Sequence, residues 1–155
     1  CIITKKEGAS FCKRVGEKGL KFDKILVDAP CSGEGTLRST FLNYKIWNIN
    51  LIKRFSGIQK YLLSSAIEIL KEGGEIVYST CTHAPEENEE VIDFVLNKFK
   101  GKLKMEEIIL PVKTRPGITN WNGKEYSKEI IKCCRIYPQD NNTEGFFIAK
   151  LKKLK

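Results

Sequence analysis

Two strand-like runs, each emptying into a loop that presents a cysteine, constrain this 155-residue chain more than any other feature. Phe22-Asp23-Lys24-Ile25-Leu26-Val27 reads as a buried strand. It runs directly into Asp28-Ala29-Pro30-Cys31-Ser32-Gly33-Glu34-Gly35, where two glycines and a proline force a loop. Glu75-Ile76-Val77-Tyr78-Ser79 reads as a second strand, followed by the turn Thr80-Cys81-Thr82-His83. The segment between them is helical in pattern, with Leu51, Phe55, Ile58, Leu62, Ile67 and Leu70 on one face. Gly73-Gly74 is its expected left-handed stop. Beyond the turn, Pro85 suits the first turn of another helix, and Glu86, Glu87, Glu89 and Glu90 complement its amino end. Val91, Ile92, Val95, Leu96 and Phe99 form its buried stripe. Strand, long helix, strand, helix is the βαβ pattern of a parallel sheet, so the expected fold class is α/β.

From Lys100 the texture changes. Residues 104–112 read as a strand or edge segment, and residues 115–127 as a polar loop carrying Trp121 and Tyr126. Residues 131–137 and 145–151 read as two strands turned by Asp140-Asn141-Asn142-Thr143, which predicts an antiparallel hairpin at the sheet edge. With 41% hydrophobic residues, the chain has the apolar mass for one domain with a real core. No window approaches the ~18 uncharged apolar residues of a membrane-spanning helix, so no membrane partner is expected. The chain opens on Cys-Ile-Ile-Thr, which is not a basic stretch before an apolar one.

Lys plus Arg number 27 against 19 Asp plus Glu, a net charge of +8. That surplus suits a polyanion partner through counterion release, and equally an ordinary lysine-rich surface. Six cysteines stand at positions 1, 12, 31, 81, 133 and 134 with no CxxC, and His83 is the only histidine. No metal site is therefore expected. The cysteines read as free thiols in a reducing compartment, the cytosol.

In open α/β sheets, ligands bind beyond the carboxyl ends of the parallel strands. Both cysteine loops occupy that place, so Cys31 and Cys81 are predicted to face one cleft, with Asp28 pointing into it. A thiolate is a strong nucleophile, more so where a helix amino end lowers its pKa, and Cys81 lies before such an end. A single cysteine is usually a small buried hydrophobe. Two at corresponding strand ends ask for chemistry.

Asp28-Ala29-Pro30-Cys31-Ser32-Gly33 and Tyr78-Ser79-Thr80-Cys81-Thr82 closely resemble the two signature motifs of the Sun-type (Fmu) RNA cytosine-5 methyltransferases. Glu86-Glu87-Asn88-Glu89 resembles the helix start that follows the second motif in that family. Pro116-Gly117-Ile118-Thr119, and Arg135-Ile136-Tyr137-Pro138 leading to Thr143-Glu144-Gly145-Phe146-Phe147, resemble its tRNA-modifying branch. The resemblance covers essentially the whole chain. It implies the carboxy-terminal portion of a Rossmann-like sheet, S-adenosylmethionine as cofactor, and RNA, most plausibly tRNA, as partner. It implies methyl transfer to carbon 5 of cytosine through a covalent adduct, with Cys81 attacking carbon 6 and Cys31 assisting release. Asp28 would contact the flipped base, as a general acid when protonated, and lie near the methyl end of the cofactor.

The family's glycine-rich cofactor loop has no counterpart in these residues. Ile2-Ile3-Thr4 leading to Glu7-Gly8 resembles the end of the family's third strand, where an Asp reads the adenine, so Glu7 is the second cofactor-binding candidate. Residues 1–155 are thus expected to form a partial catalytic domain. The Asp28 strand is expected at an exposed edge, and this stretch alone is expected to bind cofactor poorly. Arg38 reads as an RNA-phosphate ligand or a plain surface residue, Trp121 and Tyr126 as packing or base-stacking aromatics, and His83 as a turn residue. Cys12, Cys133 and Cys134 read as structural, and Trp47 as core. One rival is a cysteine phosphatase loop, but that loop places five residues between Cys and Arg, and six separate Cys31 from Arg38. The other is a non-catalytic RNA-binding module or inactive truncated subunit.

Overall fold

β-Branched and aliphatic residues at 25–27 and 76–77, bounded by polar loops, make the first two strands of the sheet. In the computed structural model, which describes residues 1–155 and the side chains of all but Phe41 and Asn43, β1 (Phe22–Asp28) and β2 (Leu70–Thr80) pair in parallel, with Asp28 opposite Ser79. Their crossover holds a short helix α2 (Phe41–Ile46) and the long helix α3 (Ile49–Glu68). A further helix, α1 (Gly8–Glu17), precedes β1 and packs on α3. α4 (Glu89–Lys98) follows β2 and leads to β3 (Leu103–Glu106).

Three two-residue strands, β4 (Arg115–Pro116), β5 (Asn120–Trp121) and β6 (Lys124–Glu125), punctuate the stretch expected to be a plain loop. β7 (Cys134–Ile136), a one-turn helix α5 (Pro138–Asn141) and β8 (Phe146–Lys153) complete the chain. β7 and β8 form the expected antiparallel hairpin, but β8 lies inside the sheet rather than at its rim. The order is β1-β2-β8-β7-β4, with β3 also pairing β8. Among the described residues β1–β2 is the one parallel pair; β8 runs antiparallel to β2, β3 and β7.

The core lies between this sheet and helices α3 and α4. Leu63, Ile67, Leu70, Ile76, Tyr78, Ile92, Val95, Phe147 and Leu151 are fully buried, and Tyr78 meets Phe147 edge to face. Each such aliphatic side chain contributes about 1.5–3 kcal/mol. α3 buries the face that apolar periodicity selects only in part: Ile67 is fully buried, Leu51, Phe55 and Leu62 are half-buried, and Ile58 is exposed. Its buried residues are Ile52, Ser56, Gln59, Leu63, Ser64, Ala66 and Ile67. Ser56 and Gln59 are among them because their hydrogen bonds reach the loops of the site. α3 also ends at Glu68, before Gly73-Gly74. β2 starts at Leu70, and Gly73 takes a left-handed φ of 77° where the β1–β2 register shifts.

Residues 1–7 form no strand, and Ile2 and Ile3 are 93% and 90% exposed. β1 is the open edge of the sheet, and Leu26 on it is 69% exposed. Among the described residues no helix is long and apolar enough to cross a membrane.

Candidate active site

The parallel register of β1 and β2 brings the two cysteine loops side by side. Cys31 Sγ and Cys81 Sγ stand 3.3 Å apart, both half-buried, within hydrogen-bond reach for sulfur. At the strand ends, Asp28 accepts a 3.0 Å hydrogen bond from the Ser79 hydroxyl. Asp28 is exposed, facing solvent beside the sulfurs.

The two thiols are driven apart in acidity. Cys31, donating to its neighbour and partly desolvated, is pushed up and keeps its proton. Cys81, receiving that hydrogen bond, is pulled down to about 7 despite burial and the nearby charges of Asp28 and Glu87. The expected cause was a helix amino end. α4 begins only at Glu89, so the Cys31 donor takes that role.

A buried polar scaffold fixes both loops, and its residues lay outside the sequence-based candidates. Glu87 accepts from the Ser32 amide at 3.0 Å and from Gln59 Nε2 at 2.8 Å. Gln59 also donates to the Pro30 carbonyl, and Tyr78 Oη donates to the Glu87 carbonyl. Burial raises the Glu87 carboxyl above its ordinary value. The Ser32 and Thr82 hydroxyls meet at 2.8 Å, and Thr82 donates to Glu34. Asn88 accepts from Thr80 Oγ1 and donates to the Thr82 carbonyl.

Gly35 closes the assembly. Its amide donates to the Cys81 carbonyl and its carbonyl accepts from the Gly145 amide. A Cβ there would collide with the Gly145 carbonyl and sit 2.9 Å from that of Cys81, so only glycine fits. Glu89, read from sequence as a surface charge at a helix end, is fully buried and forms a two-point ion pair with Arg135 at 2.6 and 2.8 Å. Arg135 also donates to the His83 carbonyl, anchoring the turn after Cys81. The signal was present: glutamates interleaved with the buried stripe of α4, and polar residues in helical register with Ile52, Leu63 and Ile67.

Glu7, the second cofactor-binding candidate, is exposed at the start of α1. Its carboxylate accepts from the Ala9 and Ser10 amides and caps α1. His83 stacks on Tyr137, and burial, then Arg135, lowers its pKa, so it is a neutral packing residue of the turn. Arg38 binds Asn142 Oδ1 and the Thr143 carbonyl. Trp121 donates to Glu86, and Tyr126 is buried. Cys12, Cys133 and Cys134 are buried, and all six cysteines are free thiols. Trp47, expected in the core, is half-exposed. Among the described residues no cluster of three or more His, Cys, Asp or Glu could hold a metal ion.

A parallel β1–β2 pair extended by an antiparallel β8, with paired cysteines at the strand ends, defines an α/β fold of the S-adenosylmethionine-dependent methyltransferase type. The chain belongs to the 16S rRNA methyltransferase RsmB/F family, whose family model matches residues 1–152. It is 46% identical over 151 residues to the tRNA (cytosine(49)-C(5))-methyltransferase of Pyrococcus abyssi, covering 97% of this chain and 47% of that protein. It is 39% identical over 133 residues to ribosomal RNA small subunit methyltransferase F of Shewanella piezotolerans, covering 86% of this chain and 26% of that one. The crystal structure of a methyltransferase homolog from Pyrococcus horikoshii superposes with a TM-score of 0.75 at 42% identity, over 91% of this chain and 42% of the other. The chain thus spans less than half the length of these relatives.

The residues present fit the methyl donor of this fold in part. A largely apolar groove of about 390 Å³ runs between α1 and β1, from Gly8 beside Glu7 to Asp28. Asp28 lines this groove at the end of β1 that leads into the Cys31 loop. Glu7 has its oxygens committed to the helix cap.

Proposed function

We propose that the protein carrying this chain methylates carbon 5 of a cytosine in RNA, with tRNA as the substrate, and that residues 1–155 form part of its catalytic domain. The observation that carries the proposal is the 3.3 Å approach of Cys31 and Cys81 sulfurs at the carboxyl ends of parallel strands. S-adenosylmethionine, when bound, supplies the methyl group. Asp28, which lines the groove, is assigned to its methyl-bearing end; Glu7, the residue before Gly8 of its lining, is the second candidate.

Carbon 5 of cytosine is a poor nucleophile until a group adds to carbon 6. Cys81, acidified by its neighbour, provides that group as a thiolate, and its sulfur bonds to carbon 6. Asp28, when protonated, offers a hydrogen bond to the pyrimidine as that bond forms. After methylation the carbon 5 proton passes to solvent water, and its electron pair re-forms the carbon 5–carbon 6 double bond as the carbon 6–sulfur bond breaks, returning a thiolate to Cys81. The Cys31 thiol, which keeps its proton, is placed to stabilise the leaving thiolate. The target base has to leave its stack to reach the sulfur. Free thiols throughout the chain suit a reducing, cytosolic setting. The tRNA assignment leans on the 46% identical tRNA enzyme.

The test is the full-length protein that carries residues 1–155, with methyl-labelled S-adenosylmethionine, offered tRNA and small-subunit rRNA transcripts. Wild type is expected to form 5-methylcytosine in tRNA. Cys81→Ala is expected to form none, and Cys31→Ala to accumulate a denaturation-resistant protein–RNA adduct. Label transfer surviving in Cys81→Ala would refute the nucleophile assignment, and labelling confined to rRNA would refute the tRNA assignment.

A further inference from the structure

A further cleft of about 370 Å³ is lined by Glu34, Leu37, Tyr44, Trp47 and His83, and so borders both cysteine loops. That volume is within the range of small-ligand sites. Its aromatic walls are open: Tyr44 is 68% exposed and Trp47 49% exposed. Large exposed aromatics beside a site are costly unless something covers them in the working complex.

The cleft is also tied mechanically to the cysteine loops. Trp47 Nε1 donates to Glu34 Oε1 at 2.6 Å, while the other oxygen of Glu34 accepts from Thr82, the residue after Cys81. His83, two residues beyond Cys81, forms the opposite wall. It is held by stacking on Tyr137 and by the Arg135 bond to its carbonyl. Both walls are thus fixed with respect to the Cys81 sulfur.

We propose that this cleft is a base-stacking subsite, which receives an unpaired nucleobase flanking the target cytosine and stacks it on Trp47. The proposal rests on the RNA-methylation reading and extends it to substrate recognition. A base pulled out of a stack leaves its neighbours without a partner on one face, and aromatic side chains beside the entry point supply a replacement. Stacking is tolerant of base identity because every base has a π-face, so the subsite favours unpaired or loosely paired RNA around the target over a particular neighbour. Both Glu34 oxygens are already engaged, so Glu34 positions Trp47 and does not read the base.

The experiment uses the full-length protein that carries this chain, in a background where Trp121→Phe leaves Trp47 as the sole indole of residues 1–155 and any further tryptophan is likewise replaced by Phe. The probe is a short single-stranded RNA containing one cytosine, compared with the same strand made abasic at the two neighbouring positions. The intact strand is expected to quench Trp47 emission and the abasic strand not to. Trp47→Ala is expected to raise KM for RNA about tenfold to hundredfold while leaving kcat within about twofold, and Trp47→Phe to recover most of the loss. Equal quenching by the two strands, or an unchanged KM in a folded Trp47→Ala protein, overturns the proposal. The abasic comparison needs no cleft variant, so misfolding of Trp47→Ala leaves the test intact. Quenching without 5-methylcytosine formation would sink the methyltransferase reading alone. Methylation at wild-type KM in Trp47→Ala would sink the subsite alone.

Discussion

Removing the Cys31 thiol should change Cys81 more than any other single substitution, in a way that needs neither cofactor nor RNA to observe. The Cys31 hydrogen bond is the largest influence on Cys81 and the one that most lowers it, from an ordinary 9.0 to about 7; burial, Asp28 and Glu87 all push the other way. Cys31→Ala deletes the largest favourable influence, leaving one backbone hydrogen bond against burial, Asp28 and Glu87, so the Cys81 pKa should return to about 9. The sign follows directly: a donor to the thiolate favours the charged form, and losing it favours the thiol. At pH 7 the thiolate fraction would fall from about one half to about 1%, roughly 50-fold. Each remaining thiolate is the more nucleophilic for its higher pKa. With a Brønsted coefficient of about 0.4–0.5, two pH units recover about 6- to 10-fold. The net loss in alkylation rate at pH 7 is therefore about 5- to 8-fold. Iodoacetamide labelling of the Cys81 peptide, followed by mass spectrometry across pH 5 to 10, reads both the rate and its midpoint. A midpoint near 7 in both proteins would mean that something other than Cys31 acidifies Cys81.

The remaining predictions concern the scaffold. Arg135→Met removes the ion-pair partner of buried Glu89, leaving it the Ile118 amide, and frees the His83 carbonyl. It should cost about 3–5 kcal/mol, seen as a drop of roughly 10 °C in melting midpoint; a loss below about 1 kcal/mol would show that Glu89 finds another partner. Gly35→Ala places a Cβ against the Gly145 and Cys81 carbonyls. It should destabilise by about 1–3 kcal/mol and move the Cys81 alkylation midpoint upward, because the loop that carries Cys31 has to shift; an unmoved midpoint would count against that coupling. Residues 1–155 prepared alone should self-associate through the open β1 edge, and Leu26→Lys should reduce that association in sedimentation experiments. A monodisperse wild-type fragment would show that the edge is not sticky.

What the sequence discloses and what it withholds divide along a physical line. The two cysteine loops were legible because strand patterning, glycines and proline are local signals, and parallel pairing follows from a helical crossover. The hairpin of β7 and β8 was legible for the same reason, but its place inside the sheet was not: the partner of β8 is β2, some 70 residues away, and no local pattern encodes that pairing. The buried face of α3 was legible only in part because hydrophobic periodicity counts Ser56 and Gln59 as solvent residues. Gln59 is buried because it bonds Pro30 and Glu87, partners 29 and 28 residues distant. Glu87 and Glu89 likewise read as helix-end charges until Ser32 and Arg135, 55 and 46 residues away, arrive to satisfy them.

Burying polar groups costs free energy unless each finds a partner, so such residues are retained where geometry is worth that cost. Here most of them end on a cysteine loop. Gln59 and Glu87 hold 30–32, Asn88 and Arg135 hold 82–83, and Gly35 locks one loop against the other. The acidity of Cys81 depends on the distance to a single sulfur, and a hydrogen bond to sulfur weakens quickly as that distance grows. A purely apolar interior would have stabilised the sheet equally well. It would not have fixed two loops from different strands closely enough to keep one thiol as the donor to the other.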